Sequence, residues 1–358
     1  MRVMVAAGGS GGHVFPALAV LEELRAEGAL RAAGWIGRPG GLEERVLEKR
    51  PWIQFFPLPS RGLPRDRPWL WPLALGADGL ALLRARRILR AFRPQVLLAM
   101  GGYAAVAPAL AAKALGIPVA VHEQNAQMGL ANRALARVAD AVLLAFPRTA
   151  GCPRAARVRV TGNPVRPEIA AAPKELGTEL LVLGGSLGSR RLVEAVLQAA
   201  PELAALPGLR LRLVVGRAGD PQGIAAELRR RGLEAEALAF TEGMAELLGR
   251  ARLVLARAGA STLAELACAG RPAILVPWEG AAGGHQLRNA AYFAARGAAV
   301  LVRERDLPAR LAGVVADLWS DEARLLEMAA AARALAQPEA ARRVAQTLRE
   351  LAKGKEIP

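Results

Sequence analysis

The chain has 358 residues, of which 53% are hydrophobic and 22% charged, so it can bury one large core or two of ordinary size. This composition excludes chain-wide disorder. The two isolated cysteines, Cys152 and Cys268, exclude a disulfide scaffold, fit a reducing compartment and lack the spacing of a zinc site. The formal net charge of +16 predicts an anionic partner, which would be nucleic acid, an anionic membrane surface or a phosphorylated substrate.

Short leucine-rich or β-branched runs alternate with long helical stretches along the whole chain. Continuous apolar strands separated by helices are typical of parallel sheets covered on both faces, so the sequence predicts a doubly wound α/β fold. The first series of predicted strands is residues 2–7, 34–37, 54–58, 96–100, 119–122, 141–146 and 158–161. The second series is residues 180–183, 210–215, 237–240, 253–256, 273–276 and 298–302.

A break in this pattern falls at residues 162–167, where two prolines and a glycine indicate a linker. Each half opens with a strand that runs into a glycine loop, at residues 8–12 and 184–188. We therefore predict two similar domains, residues 1–162 and 163–335. The alanine-rich stretch 322–353 is predicted as helix, and we expect a C-terminal helix within residues 336–358 to pack back on the N-terminal domain.

No stretch of the sequence has the unbroken apolar length of a spanning helix, and the N-terminus does not resemble a signal peptide. The nearest candidate, residues 69–83, is interrupted by proline, glycine and aspartate and is followed by four arginines. It could lie on an anionic membrane or could be a core helix with a solvated basic face. The candidate membrane patch consists of Trp69, Leu70, Trp71, Leu73, Arg84 and Arg87.

The first glycine loop reads Gly-Gly-Ser-Gly-Gly-His over residues 8–13. Its bare backbone N–H groups and the helix N-terminus that follows favour an anionic ligand. The spacing matches neither the dinucleotide fingerprint nor the Walker loop. His13 lies where the loop becomes helix, so it could act as a base or could simply bond to the backbone at the helix start.

Two further clusters follow predicted strands of the first half. Gly101, Gly102 and Tyr103 come directly after one strand, where open α/β sheets bind ligands. Residues 122–125, His-Glu-Gln-Asn, follow the next strand, with Asn132 nearby. Four consecutive polar residues at this edge indicate a site, although a polar loop that caps a helix is the alternative.

The second half carries a comparable set of motifs. The Gly-Gly-Ser run at residues 184–186 is a second candidate anion cradle. Downstream, residues 257–265 bring small residues to a helix start that Ser261 or Thr262 could cap. Glu265 could bond the hydroxyls of a ribose or could be a solvated helix acid. Gln286 and Asn289 are three residues apart, which places both on one face of a predicted helix.

Taken in order, these motifs resemble the MurG family, the glycosyltransferases of family 28 that convert lipid I to lipid II in bacterial cell-wall synthesis. The matching stretches run from residue 8 to residue 289. The resemblance implies a GT-B fold, with two Rossmann-like domains that face each other across a deep cleft. It also implies a donor site for UDP-N-acetylglucosamine in the C-terminal domain, with an acceptor site on the N-terminal one.

The resemblance assigns roles to particular residues. Glu265 would bond the ribose, Ser186, Ser261 and Thr262 the diphosphate, and Gln286 the sugar, while the backbone at Thr241 would face uracil. Gly101, Gly102 and Tyr103 would bind the acceptor. The full donor set is Ser10, Gly11, Gly12, Asn125, Arg166, Ser186, Thr241, Ala260, Ser261, Thr262, Leu263, Ala264, Glu265 and Gln286.

The reaction implied by the resemblance is an inverting transfer to the 4-hydroxyl of the N-acetylmuramoyl unit, without a metal or other cofactor. His13 is the expected base, and Glu123 with a water relay is the alternative. The expected partners are the two substrates, the anionic cytoplasmic face of the cell membrane, on which the protein would be peripheral, and other cell-wall synthesis proteins.

Two other classes of function remain open from the sequence. One is another GT-B enzyme that uses a UDP-sugar, such as a glycolipid synthase or a UDP-N-acetylglucosamine 2-epimerase. The other is a basic protein that binds nucleic acid. That class predicts clustered basic residues or a known motif, whereas the arginines here are scattered along helices, so we expect no nucleic-acid partner.

Overall fold

The computed structural model describes residues 1–59, 71–154, 156–185, 188–216, 219–241 and 243–354, except the side chains of residues 71–78 and 282. The chain divides into two compact units. Unit 1 is Met1–Pro164 together with the segment from Glu339 onward, and unit 2 is Val165–Pro338. The chain therefore passes between the units twice.

Unit 1 is built on a seven-stranded parallel sheet of order β3-β2-β1-β4-β5-β6-β7. Its strands are β1 Arg2–Ala6, β2 Ala32–Gly37, β3 Ile53–Pro57, β4 Val96–Ala99, β5 Val119–Glu123, β6 Ala141–Leu144 and β7 Val158–Val160. The helices between them are α1 Gly11–Ala26, α2 Leu42–Glu48, α3 Trp71–Phe92, α4 Val106–Ala114 and α5 Leu130–Leu135.

Unit 2 carries a six-stranded parallel sheet of order β10-β9-β8-β11-β12-β13. Its strands are β8 Glu179–Leu183, β9 Arg210–Val214, β10 Ala235–Leu238, β11 Ala251–Ala256, β12 Ala273–Leu275 and β13 Ala299–Leu301. Its helices are α6 Pro167–Ala170, α7 Arg190–Ala204, α8 Pro221–Arg230, α9 Met244–Arg250, α10 Ala260–Ala269, α11 His285–Ala294, α12 Leu307–Trp319 and α13 Glu322–Ala334. Each strand overlaps a strand that the sequence predicts, so the doubly wound α/β prediction is confirmed.

The alternation of side chains along β1 shows how the sheet of unit 1 is covered. Val3 and Val5 enter one core cluster, and Met4 and Ala6 enter another on the opposite face. All four are fully buried, as expected for a central parallel strand with helices on both sides. The carboxyl ends of these strands consequently meet at one edge, where the polar loops follow.

The C-terminal stretch 322–353, which is predicted as helix, forms two helices. Helix α13 ends at Ala334 and a separate helix, α14, spans Ala340–Ala352. Pro338 lies between them, and proline both lacks an N–H and restricts the residue before it, which disfavours one continuous helix. Helix α14 packs on α1 within unit 1, and Arg159 of β7 donates to Glu350 at 2.5 Å.

Candidate active site

The first glycine loop joins β1 to α1. Gly9 has φ of +91°, a conformation that side chains rarely adopt, and a Cβ there would meet nothing within 4 Å. Ser10 is the extended N-cap residue of α1, and its carbonyl accepts from the backbone of His13 at 3.1 Å and of Val14 at 3.2 Å. The turn thus sets the N-terminal residues Gly11 and Gly12 at the positive end of a 16-residue helix.

His13 lies in the first turn of α1 and contacts two loops. Its Nδ1 is 3.2 Å from the carbonyl oxygen of Gly8, so Nδ1 carries the proton in that hydrogen bond. In the neutral ring Nε2 is then the basic nitrogen. A Cβ built on Gly102 would lie 3.5 Å from Cε1 of the ring, so the imidazole packs beside the glycines that follow β4. The structure therefore brings His13 together with the predicted acceptor loop.

The loop after β4 depends on glycine at two consecutive positions. Gly101 and Gly102 have φ of +96° and +71°. A Cβ on Gly101 would lie 3.0 Å from Nδ2 of Asn132, which is tighter than most real Cβ contacts, so Asn132 would have to shift. Tyr103, the third predicted acceptor residue, follows in a short 3₁₀ turn and is 43% exposed.

Glu123 ends β5, and its buried carboxylate accepts four hydrogen bonds. Oε1 accepts from the backbone and the side-chain amide of Asn125, each at 3.0 Å. Oε2 accepts from the backbone of Gly129 at 3.0 Å and from Nδ2 of Asn132 at 2.9 Å. A carboxylate occupied in this way holds the loop in shape, which favours a positioning role for Glu123 over its use as an alternative base.

His122 is also part of β5 and is fully buried. Burial lowers its pKa to about 4, against the opposing effect of the Gly162 carbonyl, to which Nε2 donates at 3.0 Å. The ring is therefore neutral at physiological pH. Gln124 donates to the carbonyl of Met100 at 2.9 Å and so ties β5 to the end of β4. Both side chains therefore support the loops through these hydrogen bonds.

In unit 2 the predicted donor motif forms the start of α10. The helix begins at Ala260, and its N-cap residue is Gly259, which has no side chain to cap it. The prediction that Ser261 or Thr262 caps this helix is therefore wrong, because both lie inside the first turn. Their backbone N–H groups belong to the helix N-terminus, which is the arrangement that binds anions. Leu263 is buried and Ala264 is partly buried, so the side chain of Leu263 belongs to the core and does not face a ligand.

Glu265 lies on the second turn of α10 and faces Arg166, the N-cap residue of α6. Nη2 of Arg166 is 3.4 Å from Oε1 of Glu265, and the side chains are 10% and 15% exposed. Burial raises the pKa of Glu265, and the charge of Arg166 opposes that rise. The arrangement excludes the solvated helix acid that was the alternative for Glu265.

The other predicted donor residues contact their own loops. Gln286, in the first turn of α11, accepts from the backbone of Trp278 at 2.9 Å through Oε1. Thr241 accepts from the backbone of Gly243 at 2.9 Å through Oγ1. Asn289 is buried and donates to the carbonyl of Ala258 at 3.1 Å, which ties α11 to the start of α10. Ser186 lies outside the described residues.

Unit 2 contains a buried ion pair, Arg257 with Glu304, that the sequence pattern does not predict. Arg257 follows β11 and donates to Oγ of Ser189 at 2.7 Å and to the carbonyl of Val276 at 3.3 Å, and it pairs with buried Glu304. Ser189 caps α7 by accepting from Leu192. The only signal in the sequence is a charged residue in an apolar strand end, which does not identify its partners.

The candidate membrane patch lies only partly within the residues that the structure describes. Trp69 and Leu70 lie outside the described residues, as do the side chains of Trp71 and Leu73. Arg84 and Arg87 are exposed on α3, on the outward face that also carries Leu80 and Leu83 at 49% and 57% exposure. Over the described part of the chain, no helix is long and apolar enough to cross a membrane. Those residues also contain no group of three or more His, Cys, Asp or Glu side chains that could hold a metal ion.

Comparison with known proteins identifies the family. Residues 3–144 match the glycosyltransferase family 28 N-terminal domain, and residues 179–347 match its C-terminal domain. The chain is 42% identical over 369 residues to a protein of Aromatoleum aromaticum, covering 99% of this chain and 98% of the relative. That relative is named UDP-N-acetylglucosamine–N-acetylmuramyl-(pentapeptide) pyrophosphoryl-undecaprenol N-acetylglucosamine transferase.

The chain belongs to glycosyltransferase family 28, and within it to the MurG family. The crystal structure of Acinetobacter baumannii MurG is 30% identical, with a TM-score of 0.78 over 98% of this chain and 99% of that one. The two parallel-sheet units are thus those of the GT-B fold. The structure of a UDP-GlcNAc 2-epimerase from Neisseria meningitidis has a TM-score of 0.68 over 98% of this chain and 100% of that one. The two sequences are only 14% identical, so this similarity shows a shared fold and nothing more.

Proposed function

We propose that this chain transfers N-acetylglucosamine from UDP-N-acetylglucosamine to lipid I, giving lipid II in peptidoglycan synthesis. The observation that carries the proposal is the 42% identity, over nearly the whole of both chains, to a relative with that name. The epimerase alternative has only the shared fold in its favour, and a fold hosts many activities.

The chemistry we propose is a single inverting displacement. The 4-hydroxyl oxygen of the N-acetylmuramoyl unit attacks the anomeric carbon of N-acetylglucosamine, the bond from that carbon to the β-phosphate oxygen breaks, and UDP leaves. The hydroxyl proton passes to Nε2 of His13. Two observations support this use of His13: Nδ1 is held by the Gly8 carbonyl, and the ring lies beside Gly102 in the loop that we expect to bind the acceptor.

For the donor we propose that Glu265 accepts hydrogen bonds from the ribose hydroxyls while Arg166 keeps its carboxyl ionised. The N-terminus of α10, with Ser261 and Thr262 in its first turn, would receive the diphosphate, and Arg166 would also stabilise the charge that develops on it. We propose that these groups suffice without a metal ion. Turnover that persists in excess EDTA would support this statement, and activity restored only by added Mg²⁺ or Mn²⁺ would refute it.

We also propose that unit 1 docks on the anionic cytoplasmic face of the cell membrane through α3. Two exposed leucines, Leu80 and Leu83, lie on the same outward face as Arg84 and Arg87. An apolar stripe flanked by basic residues is the pattern of helices that lie in an anionic interface. A lipid-linked acceptor would require such contact.

The deciding experiment is the transfer of labelled N-acetylglucosamine to a lipid I analogue by the wild type, His13→Ala and Glu265→Ala. We expect the His13 variant to lose turnover by about a hundredfold or more while it binds UDP normally, because only the base is removed. The Glu265 variant should bind UDP more weakly. Conversion of UDP-N-acetylglucosamine to its C2 epimer, without transfer, would establish the alternative instead. Tight binding of duplex DNA with none of UDP-sugar would exclude an enzyme of this class.

A further inference from the structure

A buried carboxylate lies directly behind the first glycine loop, and nothing in the sequence pattern predicts it. Glu43 is on the first turn of α2 and is fully buried. Its Oε1 accepts from the backbone of Arg38 at 2.8 Å, and its Oε2 accepts from the backbone of Gly9 at 3.4 Å. In the described residues, no lysine or arginine side chain pairs with it. Among the described residues, the hydrogen-bond donors to its carboxylate oxygens are backbone N–H groups.

Three glycines make room for this carboxylate. A Cβ on Gly41 would lie 2.6 Å from Oε2, and one on Gly37 would lie 2.8 Å from Cγ of Glu43. A Cβ on Gly8 would overlap Oε1. These glycines come from the first glycine loop, from the end of β2 and from the start of α2, so three separate segments of the chain meet around one acid. The glycines leave room for a side chain of this size, and the two backbone N–H donors suit a group with two acceptor oxygens.

The peptide group between Gly8 and Gly9 connects Glu43 to His13. Its N–H points to Oε2 of Glu43, and its carbonyl oxygen accepts from Nδ1 of His13 at 3.2 Å. A negative charge at the N–H end of a peptide group polarises its carbonyl, which becomes a stronger acceptor for the imidazole N–H. The carboxylate, the peptide group and the imidazole thus form one chain of hydrogen bonds.

We propose that Glu43 is a positioning residue for His13 and acts across the Gly8–Gly9 peptide group. It fixes the peptide plane, which holds the Nδ1–H tautomer of His13, and its charge favours the protonated ring that forms as the acceptor hydroxyl loses its proton. This inference rests on the proposed use of His13 as the base. The role is that of the carboxylate in a carboxylate–histidine pair, with a peptide group inserted between the two.

The other titratable groups around His13 do not duplicate this effect. On β5, His122 interacts electrostatically with His13 and stays neutral, because burial lowers its pKa to about 4. Glu123 is engaged by its own four donors. Tyr103, next to Gly102, is largely exposed. Glu43 is the buried charge that contacts the peptide group to which His13 bonds.

The test compares Glu43→Gln with Glu44→Gln. Glu44 is the adjacent acid on α2, and its Oε2 accepts from the backbone of Gly40 at 2.5 Å, so the control removes a carboxylate from the same helix without touching the Gly8–Gly9 peptide group. The first readout is the titration of the histidine rings by NMR in protein labelled at histidine. The chain has only three histidines, and His122 is silent above about pH 5. His13→Ala assigns the His13 signal.

We expect the His13 titration midpoint to fall by about half a pH unit or more in Glu43→Gln and to stay unchanged in Glu44→Gln. The second readout is transfer at varied pH. The acidic limb of the kcat/KM profile should move to lower pH in Glu43→Gln, kcat should fall about tenfold, and the KM for UDP-N-acetylglucosamine should stay within twofold. The Glu44→Gln variant should match the wild type in its His13 titration midpoint, its kcat/KM profile, its kcat and its KM.

An unchanged His13 titration in folded Glu43→Gln would overturn the inference. Far-UV circular dichroism and Tm establish folding. If Glu43→Gln does not fold, Glu43→Asp replaces it, because aspartate keeps the charge but withdraws it from Gly9. A smaller fall in the His13 titration midpoint would then support the inference, and an unchanged midpoint would contradict it. The NMR titration needs no turnover, so it is independent of the proposed function. Full activity in His13→Ala would reject His13 as the base, but the effect of Glu43 on the His13 titration midpoint could still be measured.

Discussion

Arg166 and Glu265 form a nearly buried ion pair whose closest atoms, Nη2 and Oε1, are 3.4 Å apart. Charge-assisted hydrogen bonds between such groups are usually about 2.7–2.9 Å long, so this pair is not fully closed. The carboxylate therefore keeps acceptor capacity while Arg166 favours its ionised form against the effect of burial. That is the electrostatic setting in which a buried acid can bind neutral hydroxyl groups.

Replacing Glu265 by Gln should weaken UDP binding about 10- to 100-fold, because hydrogen bonds to a charged acceptor contribute about 1.5–3 kcal/mol. Isothermal titration with UDP measures the change. Glu168→Gln is the matched control, since Glu168 is an exposed acid near Glu265 whose charge also raises the pKa of Glu265. It should leave the Kd within about twofold. Equal affinity in wild type and Glu265→Gln would remove the ribose contact from the proposal.

His122 should make the protein less stable in mild acid. Its pKa is lowered from 6.5 to about 4 in the folded chain, so between these values the unfolded chain binds a proton that the folded chain does not. The free energy of unfolding should therefore fall as the pH drops through this window, by about 3 kcal/mol from this residue.

Urea unfolding at pH 7, 5.5 and 4.5 measures this dependence. His122→Gln, which can still donate to Gly162, should show a shallower pH dependence than the wild type. His285→Gln should keep the wild-type dependence. Identical pH slopes in the wild type and the His122 variant would contradict the prediction.

Replacing Arg257 should destabilise unit 2, because its guanidinium pairs with buried Glu304. Arg257→Met leaves Glu304 buried with only Arg191, which is mostly exposed, as a partner at 3.4 Å. An uncompensated buried charge costs about 3–5 kcal/mol, measurable by urea unfolding. Arg191→Met should cost less than about 1 kcal/mol. The double variant Arg257→Met/Glu304→Gln should recover part of the loss, and no recovery would mean that packing and not charge is responsible.

Gly101 offers a test of the acceptor loop. Gly101→Ala adds a side chain at φ of +96° and within 3.0 Å of Asn132, which holds Glu123. Gly232→Ala is the control, with φ of +86° and its nearest neighbour at 3.7 Å. Both should lose about 1–2 kcal/mol from backbone strain. Only Gly101→Ala should also reduce transfer to the lipid I analogue, and equal kcat in the two variants would show that the Asn132 contact has no effect on turnover.

The double variant Leu80→Ser/Leu83→Ser should bind vesicles that contain anionic phospholipid at least about tenfold more weakly than the wild type. The reason is that each leucine would bury apolar surface in the membrane interface. Sedimentation with vesicles measures the binding. Leu326→Ser is the control, as Leu326 is 51% exposed on a helix of unit 2. Transfer to a soluble acceptor analogue should be unaffected in both. Wild-type binding by the double variant would exclude this face of α3.

The sequence predicts the layout of this protein well because strand identity and glycine loops depend on local pattern. The thirteen strands, the loops after β1, β4 and β5, and the helix that carries Glu265 are all where the periodicity indicates. Within the helical stretch 322–353 the pattern alone does not mark where α13 ends and α14 begins, since a long alanine-rich run outweighs one proline in a pattern-based prediction.

The support of the site is what the sequence does not reveal. Residues 42–45, Leu-Glu-Glu-Arg, resemble any exposed helix start, and the burial of Glu43 depends on glycines at positions 8, 37 and 41. Arg257 likewise depends on Ser189 and Glu304, far apart in sequence. Such contacts arise only when distant segments come together, so no local pattern carries them.

The position of α14 has a consequence for how the protein is made. Four of its residues, Val344, Ala345, Leu348 and Leu351, belong to the core cluster that covers one face of the first sheet. They are synthesised after the whole of residues 165–338, which form the second compact unit. The core of unit 1 is therefore completed only when α14 has been synthesised, although most of that unit is translated first.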